Sequence, residues 1–401
     1  MSYKDLITQT KLAVICICPA MLITRTPYGE QKNKHLCGRS GEKLKFFTFK
    51  LMVNNMYQQS PNIITILPTY RCTAACKECC FESNPNLKSR LSRTDILEII
   101  DTGCSSFPDL KMIVFSGGEC FTLKSDLYAG IQAATLNGKM SRCVTNGYWG
   151  NTLSNARTIA EKLKDAGLSE INFSTGVDHQ EHVPLSSVIN AVQACAELGI
   201  WTMITIEKDT ETSSCRETIN TNPLILELLS NRKLMLQNNT WMPFKLDYVD
   251  RGVQIHQDDL MQGCEQIFNN LVVTPHGRIS GCCGLTFEHI PEMKLGSIGD
   301  KDALRKAYDE QLNDFLKIWI KVDGPTSIIE QLMGSGYIEN SIGTVSHNCQ
   351  SCVYLHKKPE IVSALKENYE KYMSNVLIKY HASEFVSKKY SKDKLVMKEI
   401  R

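Results

Sequence analysis

Ile63-Ile64-Thr65-Ile66-Leu67 runs through Pro68-Thr69-Tyr70-Arg71 into Cys72-Thr73-Ala74-Ala75-Cys76-Lys77-Glu78-Cys79. The first five residues are a short apolar run rich in β-branched side chains, which predicts a strand. Three cysteines follow at the spacing C-x3-C-x2-C. Thiolates this close can hold three irons of a four-iron cluster and leave the fourth iron open to a small molecule. Zinc is the alternative, but three ligands leave its tetrahedron unfinished, and Cys80 could complete it only by chelating beside Cys79.

Bulk composition narrows the class. The 401 residues include 17 cysteines and carry a formal net charge of +2. An odd number of clustered cysteines in a long chain favours a cytosolic metal protein over a secreted disulfide framework. Charges of both signs are interspersed, so no whole-chain field draws nucleic acid or a membrane surface. The apolar run from Leu12 to Ile23 is broken by Pro19 and falls short of the roughly 20 residues a spanning helix needs. No small-x-small cleavage site follows it convincingly, and the expectation is a soluble, cytoplasmic protein.

From Asn62 onward, short apolar runs alternate with amphipathic segments, the pattern of repeated βα units around a parallel sheet. Strands are predicted at Ile63 to Leu67, Met112 to Phe115, Arg142 to Thr145, Ile171 to Ser174, Trp201 to Ile206 and Leu234 to Trp241. Ser92 and Asp95 form a capping box that opens a helix closed by Gly103. Further helices are expected from Ser125 to Leu136, up to Gly167, and from Leu185 to Gly199. After Gly252 the rhythm changes. Asn270 to Ser280 reads as a hairpin turning at Pro275-His276-Gly277. One helix carrying Leu304, Tyr308, Leu312, Phe315 and Trp319 should follow, broken by Gly324-Pro325. The expected domains are 1–55, an extension of unclear role holding Cys16, Cys18 and Cys37; 56–255, the βα core; 256–356, a small cysteine-bearing unit; and 357–401, a helix with a basic tail.

The cysteine loop resembles that of the radical S-adenosylmethionine (radical SAM) superfamily, and Ser116-Gly117-Gly118-Glu119 at the end of the second strand strengthens the likeness. The resemblance covers about Ile63 to Cys352. It implies an α/β fold, a partial (β/α)6 TIM-like barrel with a small C-terminal domain of β-hairpin plus helix. It implies a [4Fe-4S] cluster on Cys72, Cys76 and Cys79, with SAM held through its methionyl amino group by Gly117, Gly118 and Glu119. Ser174 and Asp178 resemble the polar pair that contacts the SAM ribose and carboxylate. Asn146 is similarly placed, though a turn role suits it better. Three features depart from the family pattern. Glu78 stands where an aromatic is common, with Phe81 or Tyr70 as substitutes; Cys120 replaces the usual proline after Gly-Gly-Glu; and no glycine motif marks Met203 to Glu207.

Cys264, Cys282, Cys349 and Cys352 resemble the auxiliary-cluster extension of these enzymes, called SPASM in its two-cluster form and twitch in its one-cluster form. No cysteine follows Cys352, which implies a single auxiliary [4Fe-4S] cluster. Cys283 is the alternative to Cys282, and a four-cysteine zinc ribbon is the alternative to iron. Cys104, Cys143, Cys195 and Cys215 read as core or surface thiols. The implied activity is reductive cleavage of SAM to a 5′-deoxyadenosyl radical that takes a substrate hydrogen, with electrons from a donor such as flavodoxin or ferredoxin. The expected substrate is a ribosomally made peptide or protein, modified by crosslinking, epimerisation or oxidation. A dehydrogenase of a small molecule such as an aminoglycoside sugar and a non-catalytic redox sensor are the competing readings. No acid, base or radical donor is assigned; Asp247, Tyr248, Asp250, Arg251 and Cys120 are near by position alone.

Overall fold

The computed structural model describes residues 60–210, 212–239, 260–283, 290–343 and 345–399, with side chains to 386. The extension 1–55 with Cys16, Cys18 and Cys37, and Asp247, Tyr248, Asp250 and Arg251, lie outside the described residues.

Six strands, β1 (Ile63–Ile66), β2 (Met112–Phe115), β3 (Met140–Thr145), β4 (Glu170–Thr175), β5 (Trp201–Glu207) and β6 (Leu234–Asn239), lie side by side in chain order. Every neighbouring pair is parallel. Helices between them make this the expected partial βα barrel. The central strands are short because both faces are covered: all four residues of β2 are buried, which is why the run Met-Ile-Val-Phe lacks alternation. The predicted sixth strand ends at Asn239, with 240 and 241 outside the described residues.

Local signals set the helix ends. The Ser92 hydroxyl accepts from Asp95 N at 3.1 Å, and the Asp95 carboxylate accepts from Ser92 N at 2.9 Å, so the capping box opens Arg93–Ser106. That helix does not stop at Gly103. Phe107 N–H donates to the Gly103 carbonyl, and a Cβ on Gly103 would lie 2.5 Å from Ile64 Cδ1. The glycine is there for close helix-to-strand packing rather than for termination. Gly167, in left-handed backbone, does end Leu153–Ala166.

The hairpin forms as expected from β7 (Asn270–Val273) and β8 (Arg278–Ser280), and β9 (Lys294–Ser297) pairs beyond it. The pairing of β7 was not anticipated. It lies parallel to β1, with Ile63 opposite Asn270, so the hairpin continues the barrel sheet past its first strand. Buried Thr65 Oγ1 donates to Asn270 Oδ1 at 3.0 Å across this pair. Tyr308 fastens the other side: its hydroxyl donates to the Phe268 carbonyl at 2.9 Å, and its ring meets Phe107 edge-on at 5.3 Å.

The single helix expected from Leu304 to Trp319 is two helices, Ala303–Gln311 and Phe315–Val322, because Asp314 caps the second by accepting from Lys317 N at 3.2 Å. Gly324-Pro325 does not merely break the chain. It opens the helix Gly324–Met333, where proline suits the first turn. The last helix runs Pro359–Glu399 and includes most of the basic tail. Among the described residues, no helix is long and apolar enough to cross a membrane.

Replacing Thr65 with valine keeps the shape and strands Asn270 Oδ1 without its donor. We expect a loss of about 1–3 kcal/mol in denaturant unfolding. Thr65→Ser, which keeps the hydroxyl, should stay within about 1 kcal/mol of the parent.

Candidate functional site

The carboxyl ends of the parallel strands face one edge of the sheet, where this class of fold gathers chemistry. The cysteine loop leaves β1 at that edge and is held by the segment after β2. Gly118 N donates to the Thr69 carbonyl and Glu119 N to the Arg71 carbonyl, both at 2.8 Å. The glycines are needed for this contact. A Cβ on Gly118 would lie 2.3 Å from the Arg71 carbonyl oxygen, and one on Gly117, whose φ is +108°, would lie 2.6 Å from that of Thr69. Their small size brings the strand end against the base of the cysteine loop.

Cys72, Cys76 and Cys79 are half-buried and free. Burial pushes the Cys72 thiol up to about 12, and the charge of Glu119 adds to the effect. Burial likewise raises Cys76, followed by the charges of Cys79, Cys72, Glu207 and Asp178. Neighbouring thiolate charge thus opposes the ionisation of Cys72 and Cys76, and a cation relieves that opposition by binding thiolate directly. The donor set therefore suits an iron–sulfur cluster or another thiophilic metal. Among the described residues, no three such side chains already converge on one metal-sized point.

Glu119 is fully buried and turned into the protein. Its carboxylate accepts from Phe121 N at 3.0 Å, from Asn146 N at 2.9 Å, and lies 3.0 Å from Thr145 Oγ1 through each oxygen. Burial outweighs these hydrogen bonds and pushes the carboxyl up to about 7. Asn146 does more than make its turn. Its Oδ1 accepts from Tyr148 N at 3.1 Å, while Nδ2 donates to Thr73 Oγ1 at 3.0 Å and lies 3.6 Å from Cys72 Sγ. The end of β3 thus touches both the glycine segment and the cysteine loop. Tyr148 is half-buried there, pushed up to about 12 by burial and then by Glu119.

Ser174 is half-buried near the end of β4, and Asp178 is buried in the turn of helix that follows. Sequence reasoning missed Glu207, the last residue of β5. It is buried and accepts from Asp178 N at 2.9 Å and His179 N at 3.2 Å. A carboxylate closing an otherwise uncharged strand was the available signal. Tyr70 and Phe81 stack at 5.9 Å between centroids, the aromatic pair that the sequence offers near Glu78. Cys120 is buried with Sγ 3.4 Å from the Val144 carbonyl, and Cys143 and Cys195 are buried in the core.

The second cysteine set comes from three places. Cys264 N donates to the Ile320 carbonyl at 3.0 Å. Cys349 and Cys352 share one face at the start of Asn348–Lys357. At the hairpin exit, Cys282 is buried, and Cys283 packs with Phe81 against Leu67, Tyr70 and Val272. Burial raises Cys283 to about 11, with the charge of Cys264 next. Cys80, raised first by burial, also feels Cys79, Cys283 and Cys349. The two cysteine sets therefore approach each other through Cys80, which the sequence reading considered only as a zinc ligand.

Residues 66–211 match the Radical SAM superfamily model. A curated relative from Bacillus subtilis (strain 168), the "Putative peptide biosynthesis protein YydG", is 25% identical over 123 residues, 31% of this chain. The match spans 38% of that relative's length. Among solved structures, anSMEcpe with bound AdoMet and Cp18Cys peptide aligns over 77% of this chain and 99% of its own, at 13% identity and TM-score 0.47. Streptococcus suis SuiB bound to precursor peptide SuiA aligns over 72% of this chain and 74% of its own, at 14% identity and TM-score 0.40.

Gly118→Ala should force the Thr69–Arg71 backbone away, costing about 1–3 kcal/mol as overpacking does. Trypsin should then cut faster after Arg71 and Lys77, read by mass spectrometry of the fragments. The pH dependence of stability tests Glu119. Between its ordinary range near 4.5 and its raised value of about 7, the unfolded chain releases the proton that the folded chain keeps, so stability falls as pH rises. Glu119→Gln should flatten that slope in unfolding measured from pH 5 to pH 8.

Proposed function

We propose that the radical SAM domain cleaves SAM reductively and that the protein uses the product to modify a ribosomally made peptide. The contact between the cysteine loop and Gly117–Glu119 carries this reading, because it joins a three-thiol donor set to a glycine-lined strand end in one place. Similarity to a protein named for peptide biosynthesis supports the substrate class.

Cys72, Cys76 and Cys79 would hold a four-iron cluster, and Gly117, Gly118 and Glu119 the SAM amino group, with Ser174 and Asp178 on its ribose and carboxylate. When bound, that pair supplies one-electron cleavage of a sulfonium and a carbon radical able to take hydrogen. The chain's own residues set up the reaction. Asn146 ties Cys72 and Thr73 to β3, fixing the loop relative to the strand ends. Thr145 and the Asn146 backbone orient the Glu119 carboxylate. Glu207 holds the Asp178 turn from β5. Cys264, Cys349 and Cys352, with Cys282 or Cys283, would hold one auxiliary cluster, and Cys80 lies between the two sets. An external one-electron donor of the flavodoxin or ferredoxin kind completes the scheme.

Anaerobically reconstituted protein should contain about two four-iron clusters and form 5′-deoxyadenosine from SAM under dithionite. The variant Cys72→Ala, Cys76→Ala, Cys79→Ala should keep about half the iron and form none. Zinc in place of iron, or intact clusters without SAM cleavage, would sink the reading.

A further inference from the structure

Beside the cysteine loop lies a cleft of about 350 Å³ that none of the roles above uses. It is lined by Thr69 and Arg71, just before Cys72, by Asn86, Lys88 and Arg90, and by Thr122 from the turn after Gly-Gly-Glu. Backbone pairing holds the walls. Leu91 N donates to the Pro68 carbonyl at 2.8 Å, and Thr69 Oγ1 donates to the Ser89 carbonyl at 2.8 Å. Thr122 Oγ1 donates to the Glu119 carbonyl at 2.7 Å.

The charge of this cleft is one-sided. Arg71, Lys88 and Arg90 line it and no carboxylate does, in a chain whose formal net charge is only +2. Arg90 is committed to Asp126, which it meets at 2.5 Å. Among the described residues, neither Arg71 nor Lys88 has an acidic partner within ion-pair distance. Arg71 and Lys88 are both exposed, and an anion in the cleft would meet two cations with no acidic partner of their own among those residues. A guanidinium beside an ammonium matches a carboxylate, the first by its two-pronged donors and the second as a point charge. The volume is at the small end for a ligand pocket and suits one side chain rather than a whole peptide.

We propose that this cleft takes an acidic side chain of the peptide substrate and anchors it beside the cysteine loop while another part of the same peptide is modified. The proposal rests on the peptide reading above. An anchor here leaves the rest of the peptide free to pass over the strand ends, so it would govern peptide affinity.

Fluorescence anisotropy on the full-length protein tests this without SAM or reductant, so failure of the radical chemistry does not decide it. The probes are a labelled glutamate-rich hexapeptide and its glutamine-rich counterpart. The glutamate probe should bind about tenfold or more tightly than the glutamine probe, and Arg71→Ala with Lys88→Ala should abolish the difference. Arg71→Lys, which keeps the charge but loses the fork, should weaken binding by less than the alanine change. Lys88→Glu should weaken it by more than Lys88→Ala, and circular dichroism confirms that each variant is folded. Inorganic phosphate serves as a competitor. Equal binding of the two probes, or an unchanged preference in the folded double variant, overturns the proposal. Tight phosphate binding without glutamate-probe binding overturns it in favour of a free anion. Preference for the glutamate probe in a protein that never cleaves SAM would uphold the cleft and overturn the radical reading alone.

Discussion

The candidate site depends on two backbone hydrogen bonds, Gly118 N to Thr69 O and Glu119 N to Arg71 O. They fasten the loop that bears the thiols to the end of the next strand. Such bonds require the backbones to meet without side chains between them, which is what two consecutive glycines provide. The same contact sets what lies on either side. Glu119 is drawn inward to Thr145 and Asn146, while Arg71 is turned outward to the cationic cleft.

A second consequence follows from β7 lying parallel to β1. The hairpin that carries Cys282 and Cys283 at its exit is part of the sheet that starts the cysteine loop. His276 at the hairpin turn reaches Tyr70, with ring centroids 5.8 Å apart, and Cys283 packs in the same apolar group as Phe81. The cysteine loop and the cysteines at the hairpin exit are therefore placed by one sheet, with Tyr70 and Phe81 packed between them.

The strands and helices of the βα core were legible because each is specified locally. An apolar run covered on both faces, a Ser-x-x-Asp cap and a glycine in left-handed backbone act over a few residues. What was not legible depends on distance along the chain. The pairing of Ile63 with Asn270 has no signature in either segment, and Asn146 looks like any turn residue until the fold brings Cys72 to its amide. Gly103 shows the converse error: a local stop signal was overridden because Ile64 occupies the space a side chain would fill. The break at Asp314 was missed because the apolar spacing of Leu304 to Trp319 continues across it, and only the cap reveals two helices.

Glu119 shows how the site reconciles opposing demands. A carboxylate with no exposure pays a desolvation cost that its hydrogen bonds only partly offset, which is why its proton is held to about 7. Stability alone would favour glutamine or an apolar residue at this position. A carboxyl that can ionise near neutrality, in the field of thiols such as Cys72 and Cys76 that burial keeps from ionising, instead makes the local charge sensitive to any cation that enters. A bound metal would lower the thiols and release their protons. A bound ammonium would favour the ionised carboxyl. The unfavourable burial of Glu119, Cys72 and Cys76 is thus of one kind: each leaves the folded chain short of nearby positive charge.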